Sequence, residues 1–325
     1  MTLIRLGRHG LAAIGVALSL LAALPSSSQA EPLFQQPKYA AMVVDAKTGE
    51  ALFSIRPDAL RHPASVTKIM TLYLTFEALR SGRLKLSDTL TISPHAFAAA
   101  PSKVSSRAGE RLTVAQAIPA MTVHSANDVA VAMAERISGS EAQFARLMTA
   151  RAHQLGMAST TFVNASGLPP DERQISTARD LALLSRAMIR TFPQYYFYFG
   201  LKSFTYDGRV LRNHNHLVLN MPGVDGMKTG YTRLAGYNLV ASGVRNGHRL
   251  IAVVLGGPSV AARDRNVAQL LNAGFAVLQR RQSGRNVSVA SLVGASVRPD
   301  ETAQGPATLG RSNRLKARRG RIARL

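Results

Sequence analysis

No cysteine occurs anywhere in the 325 residues. That excludes a disulfide framework, a thiolate nucleophile and a cysteine-ligated metal, and it leaves the redox compartment open. Acid is scarce: 18 Asp and Glu stand against 40 Lys and Arg, a formal charge of +22. Long apolar runs are confined to the first thirty residues. Past them no stretch reaches the ~20 residues that a membrane-spanning helix needs. Apolar residues still make up 46%, ample for a buried core, and the length holds one large domain or two small ones.

The N-terminus is an address. Arg5 and Arg8 precede an apolar stretch over 11–24, and Pro25-Ser26-Ser27-Ser28-Gln29-Ala30 ends in a small-x-small pattern. This predicts a secretory signal peptide over 1–30, cleaved after Ala30. Cleavage removes two of the 40 basic residues and no acid, leaving +20. The opposite end is a basic run over 312–325 with Arg314, Lys316, Arg318, Arg319, Arg321 and Arg324 and no acid. It reads as a disordered or partly helical tail, 283–325, able to meet an anionic membrane surface or an acidic polymer. Export makes nucleic acid the least plausible partner.

Between the ends, 38–56 reads as a hairpin turning at Asp45-Ala46-Lys47-Thr48-Gly49-Glu50. Val66, Ile69, Met70, Leu74 and Leu79 recur at near-helical spacing, which predicts a helix with Ser65 in its first turn. Residues 84–115 break into loop and short strand. Helices follow over 114–122, 128–137, 141–155 and 177–189, then a small hairpin around Asp207-Gly208. Two strands alternate around Arg245-Asn246-Gly247, and a helix closes at 263–280. Early and late strands most economically share one antiparallel sheet with helices on its faces. The expected class is α+β.

Three short motifs carry chemistry. In Pro63-Ala64-Ser65-Val66-Thr67-Lys68, Ser65 and Lys68 share a helix face with Cβ atoms about 5–6 Å apart. That puts an amine beside a hydroxyl which needs a base before it can attack. Ser125-Ala126-Asn127 is the only Ser-x-Asn. Lys-Thr-Gly occurs twice: Lys47-Thr48-Gly49 falls in the first hairpin turn and is explained by it, whereas Lys228-Thr229-Gly230 lies downstream of the other two motifs, on the approach to the sheet.

Ser-x-x-Lys, Ser-x-Asn and Lys-Thr-Gly in that order mark penicillin-binding proteins and class A β-lactamases. Pro63 through Thr71, Val224 through Thr232, Ala235 through Ser242, and Asn164-Ala165-Ser166-Gly167-Leu168 resemble segments of low-molecular-mass penicillin-binding proteins, the serine D-alanyl-D-alanine carboxypeptidases. The resemblance covers roughly 38–280. It implies a β-lactamase/transpeptidase-like peptidase domain over 31–282, with a helical subdomain inserted between strands. It also implies peptidoglycan stem peptides as substrates, β-lactams as covalent inhibitors and no cofactor. The location it implies is the periplasm or cell envelope, with peripheral attachment to the inner membrane as a hypothesis for the tail.

The resemblance also assigns roles. Ser65 is the nucleophile, Lys68 its base, and Ser125 relays a proton to the departing amine. Asn127 holds the substrate backbone and orients Lys68. The Ser65 and Tyr231 N–H groups hold the oxyanion next to Gly230. Lys228, Thr229 and Arg263 meet the substrate carboxylate, although Arg263 reads equally as an exposed cation starting a helix.

The chain departs from the family's pattern in two places. Tyr231 stands where the family often has His, and only 45 residues follow Arg280, too few for the β-rich second domain of many relatives. Three alternatives stay open. One is a D,D-endopeptidase with the same motifs. Another is a β-lactamase, for which Asp171 and Glu172 are the available carboxylates. The third is a non-enzymatic cationic wall-binding protein. His214 and His216 suggest a two-ligand metal site with no third ligand, or simple loop histidines; His62 and His124 read as structural.

Overall fold

The computed structural model describes residues 33–294. The signal peptide at 1–30 and the basic run at 312–325 lie outside them. In chain order the elements are β1 (Ala40–Asp45), β2 (Ala51–Ile55), α1 (Lys68–Arg80), β3 (Thr89–Thr91), α2 (Pro94–Phe97), β4 (Arg111–Thr113), α3 (Val114–Thr122), α4 (Asn127–Ser138), α5 (Glu141–Gln154) and α6 (Ala178–Thr191). They continue with β5 (Ser203–Tyr206), β6 (Arg209–Arg212), α7 (His216–Asn220), β7 (Val224–Thr232), β8 (Gly236–Arg245), β9 (His248–Gly257), α8 (Val260–Gln282) and α9 (Val289–Val293).

Five strands form one antiparallel sheet in the order β2-β1-β9-β8-β7. The first hairpin shares it with β8 and β9, as the strand pattern predicts, and β7 adds an edge beside β8. Successive β1 side chains point to opposite faces. Met42 and Val44 join the core built with α1, α3, α4 and α6, while Ala41 and Val43 join a second core with Val267, Leu270 and Leu271 of α8. Central strands are therefore covered on both sides, which is why β9 runs apolar from Leu250 to Leu255 without polar alternation. The helices between β2 and β7 make up the inserted α-rich part.

Helix starts follow side-chain capping. Thr113 and Gln116 close a capping box at α3, Ser140 caps α5, Thr177 caps α6 and Ser259 caps α8. Each oxygen takes an N–H that the first turn leaves unpaired. Helix α1 is the exception: it has no side-chain cap and is buried on nearly every side, through Ile69, Met70, Leu72, Leu74 and Phe76. An all-round apolar helix belongs in the interior, and this one carries Lys68 in with it.

Three expectations are corrected. Strand β7 contains Lys228-Thr229-Gly230, which the sequence places only on the approach to the sheet. Helix α7 begins at His216, so of the two expected loop histidines only His214 lies in a loop. Within the expected tail, α9 is ordered: Val289 is fully buried among residues of the second core. An apolar Val-Ala-Ser-Leu-Val turn against the sheet outweighs the basic character of the C-terminal residues beyond it.

Candidate active site

Residues Ala64–Thr67 form a 3-10 turn that runs directly into α1. Ser65 therefore precedes the α-helix instead of occupying its first turn. Ala64 sits at φ +48°, a left-handed conformation that side chains other than glycine rarely adopt and that marks functional turns. The tighter turn closes through Val66 N–H donating to Pro63 O at 3.2 Å.

Lys68 lies at the bottom of this turn with no exposed surface. Its Nζ is 2.6 Å from Asn127 Oδ1, 2.8 Å from the Ser166 carbonyl and 3.2 Å from Ser65 Oγ. A neutral amine has two N–H groups and one lone pair. Asn127 Oδ1 and the Ser166 carbonyl can only accept, so they take both N–H groups. The remaining partner, the Ser65 hydroxyl, is the one group of the three that can donate. The geometry leaves the lone pair for the serine proton.

Electrostatics agree with a neutral Lys68. Burial pushes its pKa well below the usual lysine value, and the Lys228 cation pushes the same way; Asp128 and Glu141 oppose them more weakly. Asp128 is itself buried and accepts from the Val104 and Ser105 N–H groups. Lys228 is 1% exposed, donates to Thr229 O at 2.9 Å, and is brought down to about 7 by burial and by Arg263. Activity that needs neutral Lys68 should rise with pH and level off once the amine is deprotonated. The expected midpoint of the acylation rate lies well below ~10.4, the value of a free lysine. A stopped-flow profile with its midpoint at the free-lysine value would contradict this assignment.

A cleft of about 350 Å³ opens above these groups, lined by Ser65, Ser125, Thr229, Gly230, Tyr231 and Arg263 among others. Ser125 reaches it from the junction of α3 and α4 at φ +64°. Tyr231 is half exposed and stacks on Tyr237, with ring centroids 4.2 Å apart. Arg263 is 3% exposed, so the reading as an exposed helix-start cation is overturned. Its Nε and Nη2 donate to Asp264 Oδ1 at 2.9 and 2.7 Å.

Asn127 faces Lys68. It is fully buried, its Oδ1 bonds Lys68, and its Nδ2 donates to Ala100 O at 3.1 Å. It positions Lys68 and ties the 98–102 loop to it.

Two glycines make the site compact. A Cβ on Gly167 would lie 2.0 Å from Ala64 O, and one on Gly230 would lie 2.9 Å from Pro63 O. Each would also come within 3.0 Å of Ser65 N. The Ser65 turn is thus clasped between β7 and the Asn164-to-Leu168 loop, at distances only glycine permits.

Several residues that shape the site carry no role in the sequence reading. Ser166 contributes a main-chain carbonyl. Gln174 donates to Thr67 Oγ1 at 3.0 Å and to Asn164 Oδ1 at 3.2 Å, and accepts from Val163 and Asn164 N–H groups, so it pins the loop to the turn. His214 and His216 line the cleft. His216 Nδ1 is 3.1 Å from Asp264 Oδ2, and His214 is lowered to about 4 by burial and by Lys228. Among the described residues no three His, Asp or Glu side chains gather as a metal site. His62 Nδ1 lies 3.1 Å from Gln174 O, a structural contact. Lys47-Thr48-Gly49 is turn chemistry: Asp45 Oδ1 accepts from Lys47 and Thr48 N–H groups at 2.8 Å each.

The family model described as D-alanyl-D-alanine carboxypeptidase matches residues 27–259. The D-alanyl-D-alanine carboxypeptidase DacF of Bacillus subtilis is 36% identical over 244 residues, which cover 72% of this chain and 61% of the relative. The chain thus spans about three fifths of that curated relative's length. Penicillin binding protein 5 of Haemophilus influenzae superposes with a TM-score of 0.70 at 37% identity, over 73% of this chain and 70% of the other. A Listeria monocytogenes penicillin-binding protein in its cefotaxime-bound form gives 0.67 at 35% identity, over 73% and 96%. These neighbours share the α+β, transpeptidase-like architecture described above.

Proposed function

This chain belongs to the D-alanyl-D-alanine carboxypeptidase family, and from that premise we propose that it removes the terminal D-alanine from peptidoglycan stem pentapeptides through an acyl-enzyme on Ser65. The observation that carries the reading is the triple contact of Lys68, which leaves its lone pair facing the Ser65 hydroxyl.

Ser65 Oγ gives its proton to Lys68 Nζ and bonds to the carbonyl carbon of the penultimate D-alanine. The negative oxygen that forms points at main-chain N–H groups, those of Ser65 and Tyr231. The C–N bond then breaks. The departing D-alanine amine takes the proton back from Lys68 through the Ser125 hydroxyl, which both accepts and donates. Water attacks the ester next, restoring Oγ–H and freeing the shortened peptide. Thr229 and Arg263, with Lys228 behind them, supply hydroxyl and cationic partners for the free carboxylate.

β-Lactams present a strained amide to the same serine, and the proposal includes them as covalent inhibitors. Rapid hydrolysis of the acyl-enzyme, as in a β-lactamase, would call for a carboxylate to activate water. The residues lining the cleft include neither Asp nor Glu. Asp171 is bound to Arg173 at 2.7 Å instead. Slow deacylation of penicillin is the expected consequence.

The substrate lies outside the cytoplasm, which matches the signal peptide read at 1–30. No described helix is long and apolar enough to cross a membrane. Attachment of the basic run to an anionic surface is part of the proposal.

A direct test incubates the protein with N,N′-diacetyl-L-Lys-D-Ala-D-Ala and quantifies free D-alanine. Release in equal amount with the shortened peptide is expected. An intact tripeptide after prolonged incubation would contradict the proposal.

A further inference from the structure

The end of the sheet opposite Ser65 is built from cations and amides. Arg245 and His248 flank the β8–β9 turn, and Lys47 stands exposed on the β1–β2 turn. Arg280 and Arg281 lie in the last turn of α8, with Arg285 just beyond it. Side-chain contacts make these one surface. Arg245 Nη2 donates to Asn272 Oδ1 at 3.1 Å, His248 Nε2 lies 2.9 Å from Gln282 Nε2, and Arg281 Nη1 donates to Glu50 Oε1 at 2.7 Å. The acids of the first turn are engaged, Glu50 in that pair and Asp45 with N–H groups of its own turn. Among the described residues Lys47, Arg245, Arg280 and Arg285 form no ion pair.

Between the β8–β9 turn and α8 lies a cavity of about 90 Å³. Arg245, His248 and the side-chain amides of Asn246, Asn272, Gln279 and Gln282 line it around Phe275, with no carboxylate. The Arg245 guanidinium is held over the Phe275 ring, 4.8 Å from its centroid. One of its five N–H groups goes to Asn272. A hollow rich in donors and free of acid suits charged oxygens, above all those of a phosphate.

We propose that this end of the domain docks on the anionic phospholipids of a membrane, with the cavity holding one headgroup phosphate. A bilayer surface sums the attraction of many separate cations, each acting within a Debye length. The arginines here are spread over two turns and a helix end, an arrangement that fits such a surface. The chain leaves α8 at this end and later adds Arg298 and the basic run over 312–325, which extends the same charge. The inference extends the attachment proposed for that run to the folded domain, and it does not depend on the reaction proposed for Ser65.

The placement also sets an orientation. Asn238 of β8 donates to the Pro63 carbonyl at the Ser65 turn, and Arg245 stands seven residues further along the strand, about 23 Å away at ~3.3 Å per residue. Arg263 lines the cleft, and Arg280 follows it by seventeen residues of α8, about 25 Å at ~1.5 Å each. Docked by its basic end, the domain turns the cleft away from the bilayer.

Vesicle sedimentation tests this on the chain without residues 1–30, with the six cations of the terminal run each changed to Gln so that the folded surface alone is read. This protein should sediment with vesicles of phosphatidylglycerol and phosphatidylcholine and stay in solution with phosphatidylcholine alone. Arg245→Gln, Arg280→Gln and Arg285→Gln together should lower partitioning about 10²-fold, from roughly fivefold per cation at a membrane surface. Arg107→Gln, Arg111→Gln and Arg146→Gln remove the same charge from exposed positions of the inserted helical part, and should leave partitioning within about twofold. Equal losses in the two triple variants, or equal sedimentation with both kinds of vesicle, would overturn the docking surface. Penicillin should acylate the vesicle-bound protein at its rate in solution, and slower acylation on vesicles would overturn the orientation. Release of D-alanine is measured apart from all of these, so the carboxypeptidase reading stands or falls separately.

Discussion

Lys68→Met should lower the rate of acylation by penicillin by a factor of about 10² to 10⁴, the range that a positioned general base supplies. Methionine has similar length and no charge, so the buried space stays filled. What disappears is the lone pair facing Ser65 Oγ, together with the two N–H groups that satisfy Asn127 Oδ1 and the Ser166 carbonyl. The unpaired oxygens should also cost about 1–3 kcal/mol of stability each, visible in urea unfolding. Lys68→Arg separates two roles. Its guanidinium keeps a positive charge at the site but does not deprotonate in proteins. If Lys68 acts as a base, arginine should be as inactive as methionine. Substantial acylation by the arginine variant would show that charge alone suffices.

Gly167→Ala is the second large effect, and it acts through the backbone. Gly167 has φ +86°, where an L side chain costs roughly 1–2 kcal/mol, and the added Cβ would come within 2.0 Å of the Ala64 carbonyl. Something must move, and the nearest movable parts are the Ser65 turn and the loop that holds Ser166 on Lys68. We expect a stability loss of about 2–4 kcal/mol and an acylation rate lower by about 10²-fold, since a displacement near 1 Å at a reacting group has that consequence. Gly156→Ala is the control. Gly156 has φ +88° but nothing within 4 Å of the would-be Cβ. It should lose the strain energy and keep its acylation rate. Equal acylation defects in the two variants would show that the close approach at Gly167 is not what matters.

The proposed nucleophile and base are legible in the sequence because the chemistry proposed for them is carried by their side chains, which stand at a fixed spacing. Ser65, Lys68, Ser125 and Lys228 could be named from three short motifs, and β1, β8, β9, α5 and α6 from apolar periodicity and turn residues. What it hides is of another kind. Ser166 acts through a carbonyl, which every residue has. Gly167 and Gly230 act by what they lack, and 23 other Gly share their letter among the 25 in the chain. Asn127 was legible as a site residue that orients Lys68, but its second partner was not: its amide lies buried between Lys68 and the Ala100 carbonyl. Gln174 holds Thr67 from 107 residues away, a contact no local pattern encodes. Strand β7 escaped because its Gly-rich, lysine-bearing stretch lacks the alternation of a half-buried strand. It is an edge strand whose Thr229, Gly230 and Tyr231 line the cleft.

The acyl-enzyme on Ser65 is the centre of this account, and intact-protein mass after incubation with benzylpenicillin tests it most directly. Wild type should gain the mass of one penicillin and hold it through slow deacylation, while Ser65→Ala should gain nothing. An unmodified wild-type mass with the drug left intact, or an adduct of equal yield on Ser65→Ala, would contradict it.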